Sequence, residues 1–196
     1  MTTNLKEQMS QNRMASGTLK KDRPQPRPFT PEDYARRMTR GLNQAAAAGL
    51  TGLVIAPGPD LQYFCGYVPT AITERPTLLV LSSEHAPSML VPLLEKRDAA
   101  EAAGTNQIEL VTFSDGEDPY TIAARLSEGR GTYAVSDSCW SMHILGLQKV
   151  VPGAVFKSLT NALPMLRAVK GEDELARLAA AGESADACYP SIRQVH

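Results

Sequence analysis

Cysteine is too scarce here to build a framework. Cys65, Cys139 and Cys188 are an odd number at wide spacings, which suits neither a disulfide scaffold nor a zinc knuckle. Reduced, unpaired thiols are the expectation. Long apolar runs are missing as well: no stretch reaches the roughly eighteen uncharged apolar residues that a membrane-spanning helix needs, and the N-terminus lacks the apolar core of a secretory signal. A cytoplasmic chain without membrane attachment is therefore expected. Of the three histidines, His85 falls in a predicted turn, His143 on a predicted helix and His196 at the terminus, so no pair has the i, i+4 ligand spacing. Also absent are a Gly-rich phosphate loop, a nucleophile elbow, a His-Glu-x-x-His pair and any Asp/Glu/His ligand cluster. These absences remove the common routes to phosphoryl, acyl and metal chemistry, so no catalytic and no metal-ligating residue is assigned. A thiol and imidazole pair made of Cys65 or Cys139 with His143 is disfavoured. Cys139 stands near a predicted helix N-terminus, where thiol pKa values fall, yet an inert, partly buried thiol is the preferred reading.

What is present suits one ordinary domain. The 196 residues are 43% apolar and 21% charged, a composition that reads as soluble and globular. The net charge of −1 hides an uneven distribution. Residues 1–30 carry six basic and two acidic side chains, which leaves residues 31–196 at −5. A mildly acidic domain offers no basic face to a phosphate backbone, so no nucleic-acid partner is expected. Residues 1–29 are rich in Pro, Gln, Ser and Thr and read as a disordered leader.

Along the chain, Thr30 can N-cap a helix with Pro31 at its first position and Asp33 at its third. That helix is predicted to run to about Ala48 and to stop at Gly49. Gly52 to Ala56 reads as a buried strand, and Pro57, Gly58 and Pro59 force a turn. Thr77 to Ser82 and Ser88 to Val91 are two strands of a hairpin. A helix is predicted over Pro92 to Ala103, a strand over Ile108 to Phe113 and a helix from Asp118 to Ser127. Strands over Thr132 to Val135 and Ala154 to Phe156 flank a helix over Ser138 to Val150. The alternation implies an α/β layer structure whose hairpin makes the sheet mixed. Gly171 to His196 reads as a long helix with Glu172, Asp173 and Glu174 at its positive end. Pro190 puts its continuity in question. The stop on Gln194, Val195 and His196 has no cap, which predicts a chain cut short.

The segment Pro59 to Pro76, PDLQYFCGYVPTAITERP, is the most informative. Tyr63, Phe64 and Tyr67 surround Gly66, and Glu74 and Arg75 directly precede a core strand. Residue chemistry allows either a surface loop with a salt bridge or a loop that presents a carboxylate and a guanidinium to a charged substrate.

PDLQYFCGY resembles the "N/D-L-x-Y-L-T-G-Y" strand and turn of creatinase, prolidase and aminopeptidase P proteins, with Cys65 where Thr is commoner. Glu74 to Val80 resembles the strand that follows in that family. DGEDPY at Asp115 to Tyr120, SDSCWSMHILGLQ at Ser136 to Gln148 and LPMLRAVKGEDELARLAAAGESAD at Leu163 to Asp186 are similar to its later stations, in order. The resemblance covers about residues 31 to 196. It implies the N-terminal domain of that family: a mixed six-stranded sheet with helices on both faces over residues 30–168, then residues 169–196 as a linker helix into a missing catalytic domain.

By the same resemblance the parent is an Xaa-Pro dipeptidase or aminopeptidase-like metallohydrolase, acting on a dipeptide or small amide with two divalent ions (Mn, Co or Zn). None of the ligands for those ions lies in this chain, which alone would be inactive. The resemblance further implies a homodimer and assigns Tyr67, Glu74 and Arg75 to a substrate-gating edge. The alternative is an independent module that binds a small ligand at the C-terminal edge of the sheet, or that only dimerises.

Overall fold

The computed structural model describes residues 26–70, 72 and 74–193, for 190–193 the backbone alone. The leader expected over residues 1–29 lies outside the described residues up to 25, and the uncapped stop at 194–196 lies wholly outside them. The described chain divides into two units, residues 29–168 and a second formed by the chain on either side.

The first unit is a six-stranded mixed sheet with helices on both faces. Its order is β4-β3-β2-β1-β5-β6, with β1 at Gly52–Ile55, β2 at Leu78–Ser82, β3 at Ser88–Pro92, β4 at Glu109–Phe113, β5 at Arg130–Val135 and β6 at Gly153–Ser158. β2 is antiparallel to both neighbours, whereas β3 and β4, β1 and β5, and β5 and β6 pair in parallel. Five strands therefore end at one rim, and β2 alone begins there.

Strand residues alternate between two cores. Leu53, Ile55, Leu79, Leu81, Met89, Val91 and Ala134 pack on one face, and Val54, Leu78, Leu90, Tyr133 and Val135 on the other. Burial on both faces is why β1 and β2 read in sequence as unbroken apolar runs instead of alternating ones. The edge strand β6 alternates between exposed and half-buried residues, with Lys157 facing solvent, a common guard against edge-to-edge pairing.

Helix α1 (Pro31–Ala47) starts with the expected capping box. The Asp33 N–H donates to Thr30 Oγ1, and the Thr30 N–H donates to Asp33 Oδ2 at 2.8 Å. Gly41 lets α1 approach closely, since a Cβ there would stand 2.8 Å from the Phe64 ring. That ring belongs to α2 (Pro59–Cys65).

The segment that contains α2 was expected to be a strand and turn, and the structure corrects this. Pro59 occupies a helix N-terminus, Asp60 carries a negative charge in the first turn, and Gly66 terminates the helix in the left-handed conformation at φ 75°, its N–H donating to the Gln62 carbonyl at 3.0 Å. These end signals outweigh the β preference of Tyr63 and Phe64. The helix predicted over Pro92 to Ala103 is a 3₁₀ turn at Leu93–Glu95 followed by α3 (Lys96–Glu101). Helices α4 (Pro119–Ala124) and α5 (Ser141–Val150) cover the second face, and the single-turn α6 (Leu159–Ala162) follows β6.

The second unit contains α7 (Glu172–Arg193), which runs through Pro190 without interruption. Its first turn is acidic, and Glu174 accepts the Gly171 N–H at 3.0 Å. Asp173 pairs with Arg27 at 2.7 Å, and Arg177 donates to the Arg27 carbonyl.

Candidate functional site

The segment from Gly66 to Thr77 crosses the rim where β2 begins and the other strands end. It leaves α2, passes the ends of β3 and β4 and enters β2 at Leu78, which faces Leu90 of β3. Pro92 of β3 in turn faces Phe113 of β4. This register places Arg75, three residues before β2, near Asp115, two residues after β4.

The two side chains meet. Arg75 Nε and Nη2 donate to Asp115 Oδ1 at 3.0 and 2.9 Å, and Nη2 also donates to Oδ2 at 3.0 Å. The pair links the two loops across the end of β3. Arg75 is 32% exposed and Asp115 73%, so the cation is mostly covered while its partner stands in solvent. Glu74 is exposed, with no hydrogen bond or ion pair among the described residues.

Tyr67 lies elsewhere on the same rim, and its side chain points inward. It is buried, and its hydroxyl donates to Glu95 Oε2 at 2.9 Å. Burial, reinforced by the Glu95 carboxylate, pushes its phenol far above the ordinary tyrosine value. Of the three residues assigned from sequence, Glu74 thus stands open to solvent, Arg75 is partly covered and paired with Asp115, and Tyr67 fastens the segment to the turn after β3. Sequence reasoning missed Asp115 as a partner, although it had noted the DGEDPY run. Next to it the Ser114 N–H donates to Glu117 Oε2 at 2.6 Å, and Asp118 caps α4 by accepting the Tyr120 N–H at 3.0 Å.

The crevice between the ends of β1 and β5, where an α/β sheet often takes a ligand, is crossed by internal hydrogen bonds. Ser136 Oγ accepts the Ala56 N–H at 3.2 Å, and the Ser138 hydroxyl donates to the Pro57 carbonyl at 2.8 Å. Nearby, Cys139 is pushed up to about 11 by desolvation despite its place before α5. The imidazole of His143 is engaged instead with Tyr120, Oη to Nδ1 at 2.9 Å. No thiolate and base pair forms. Among the described residues no group of three or more His, Cys, Asp or Glu side chains stands together in a way that could hold a metal ion. No helix among them is long and apolar enough to cross a membrane.

Residues 37–169 match the Creatinase/Prolidase N-terminal domain family. The chain is 37% identical over 171 residues to a probable dipeptidase PepE of Mycobacterium tuberculosis, an alignment that takes in 85% of this chain and 44% of the relative. Among solved structures, dipeptidase PepE from Mycobacterium ulcerans superposes with a TM-score of 0.76 at 34% identity, over 83% of this chain and 44% of the other. A prolidase from Thermococcus sibiricus superposes at 0.73 with 25% identity and the same coverage. The chain thus spans less than half the length of each of these three relatives. By the extent of the family match and the shared sheet, the chain belongs to the creatinase/prolidase N-terminal domain family.

Proposed function

We propose that this chain is the substrate-gating and dimerisation half of an Xaa-Pro dipeptidase-like metallohydrolase, with residues 169–196 as the linker helix into the half that performs the hydrolysis. The observation that carries this reading is the 37% identity to a dipeptidase over 85% of the chain. Any pair of divalent ions would be held by the other half of such a protein. Among the described residues of this chain no three His, Cys, Asp or Glu donors stand together in a way that could hold a metal ion.

The contribution of the chain would be recognition. A dipeptide carries a carboxylate at one end and an ammonium at the other. A guanidinium fork suits the carboxylate because two parallel N–H donors match its two oxygens. Glu74, adjacent and exposed, offers the opposite charge to the ammonium. Two charges at a fixed place on the rim would measure substrate length, with Tyr67 holding the segment in position. Trp140, Met142 and Leu145, large apolar side chains left exposed at the N-cap and in the first half of α5, support the dimer reading.

In a protein carrying this chain ahead of its metal-binding half, Arg75→Ala should raise KM for dipeptides more than for longer peptides. The loss of a charge-assisted hydrogen bond corresponds to about 1.5–3 kcal/mol, roughly ten- to a hundredfold. Equal kinetics for both substrate lengths would leave the segment a scaffold element. Sedimentation of this chain as a monomer at all accessible concentrations would remove the dimer role.

A further inference from the structure

Asp115 occupies the place on Arg75 that the reading above gives to a ligand. Its two oxygens accept from the Nε and Nη2 edge of the guanidinium, the same side-on geometry a peptide carboxylate would adopt. We propose that Asp115 is the specificity-setting residue of this rim: it holds Arg75 in the absence of ligand and gives way to a terminal carboxylate. The inference rests on the reading of Arg75 as a carboxylate-binding group.

Three observations support exchange over a fixed structural pair. Asp115 is 73% exposed, so returning its carboxylate to water costs little, and an ion pair with one such partner is weak. Arg75 is two-thirds covered and has no other partner among the described residues, so on release of Asp115 the cation stays in place and needs a new acceptor. Finally, the pair is neutral as it stands, and Glu74, Glu117 and Asp118 lie close in sequence. An incoming carboxylate that merely added to the pair would set two anions on one cation amid further negative charge, whereas exchange keeps one carboxylate on the guanidinium and turns Asp115 towards water, where its charge is screened. A ligand with an uncharged end gains nothing by displacing Asp115, and such ligands are rejected.

The test uses the whole 196-residue chain, labelled with ¹⁵N. The Arg75 Nε–H resonance, assigned by its loss in Arg75→Lys, is followed during titration with Ala-Pro and with Ala-Pro amide. Ala-Pro should shift it in the wild type, and Asp115→Asn should bind Ala-Pro roughly two- to fivefold more tightly, the strength of an exposed ion pair. The amide should leave it unmoved in both. Asp115→Ser, which also removes the charge, should act in the same direction. Ala-Pro binding at Arg75 that is unchanged or weaker in both variants would overturn the exchange role and leave Arg75 as a carboxylate site that Asp115 merely positions. Silence of Arg75 towards Ala-Pro in all three proteins would overturn the carboxylate reading itself, and the inference with it.

Discussion

The hydroxyl of Tyr120 on α4 meets Nδ1 of the buried His143 on α5 at 2.9 Å, joining the two helices that cover the second face of the sheet. Gly146 makes room for this contact, since a Cβ there would stand 2.6 Å from the Tyr120 ring. Desolvation lowers the His143 pKa below its ordinary 6.5, so the folded protein resists a proton that the unfolded chain accepts. Stability is therefore complete above about pH 6.5 and is lost as the pH falls from there towards the depressed folded value. The carboxylates with lowered pKa values, Asp118 and Glu128 among them, start from 3.8 and 4.5, so the stability they contribute is present above those values and is lost only as the pH falls below them. Urea midpoints at pH 7.5 and 5.5 should thus fall for the wild type and change less for His143→Gln. Equal falls in the two proteins would mean that another group titrates in this window.

Gly49 and Gly66 have nearly the same left-handed backbone, φ 70° and 75°, in different surroundings. Nothing lies within 4 Å of a Cβ at Gly49, whereas one at Gly66 would stand 2.6 Å from the Tyr34 hydroxyl oxygen. Gly49→Ala should cost about 1–2 kcal/mol for the conformation alone. Gly66→Ala should cost about 1–3 kcal/mol more, because Tyr34 must move out of a packed site. Chemical denaturation of both variants checks this, and equal losses would show that Tyr34 yields without cost.

At the rim opposite Arg75, the hydroxyls of Ser82 and Tyr133 both donate to the Glu128 carboxylate, the first at 2.7 Å, while the Glu128 N–H donates back to the Tyr133 oxygen at 3.1 Å. Tyr133→Phe removes two of these bonds and should destabilise by about 1–3 kcal/mol. Burial, helped by the Glu128 carboxylate, pushes the Tyr133 phenol up to about 12. The tyrosinate absorbance at pH 11 should consequently be nearly the same in the variant and the wild type. A clear drop at that pH would show that Tyr133 ionises like a free phenol.

The thiols should react unequally. Cys65 is fully buried and Cys139 half-buried, and desolvation pushes both up to about 11, whereas Cys188 is exposed. A disulfide reagent at pH 8 should label one thiol quickly, and Cys188→Ser should abolish that phase. A fast phase that survives the substitution would place a reactive thiolate at Cys65 or Cys139.

The hairpin of β2 and β3 and the helix capped by Thr30 were legible in the sequence because each depends on signals a few residues apart. β6 was legible only in part, since an edge strand has few apolar residues to announce it. Seven residues are too few for helical periodicity, so α2 showed only its aromatic content, and its Pro59 and Gly66 ends passed for a turn. Arg75 and Glu74 could be singled out by their charge before a core strand. The partner of Arg75 could not: Asp115 lies 40 residues away, and the two meet only through the combined register of β2, β3 and β4. The burial of Tyr67 was hidden for the same reason, because it depends on Glu95 after β3.

The reversed run of β2 has a consequence for how such a rim can change. Its register is locked from both sides, by Leu79 to Ser82 of β2 against β1 and by Leu78 to Val80 against β3. The stretch between Gly66 and Thr77 can therefore gain or lose residues without sliding any strand. Its length is a free variable that can change while the sheet stays unaltered.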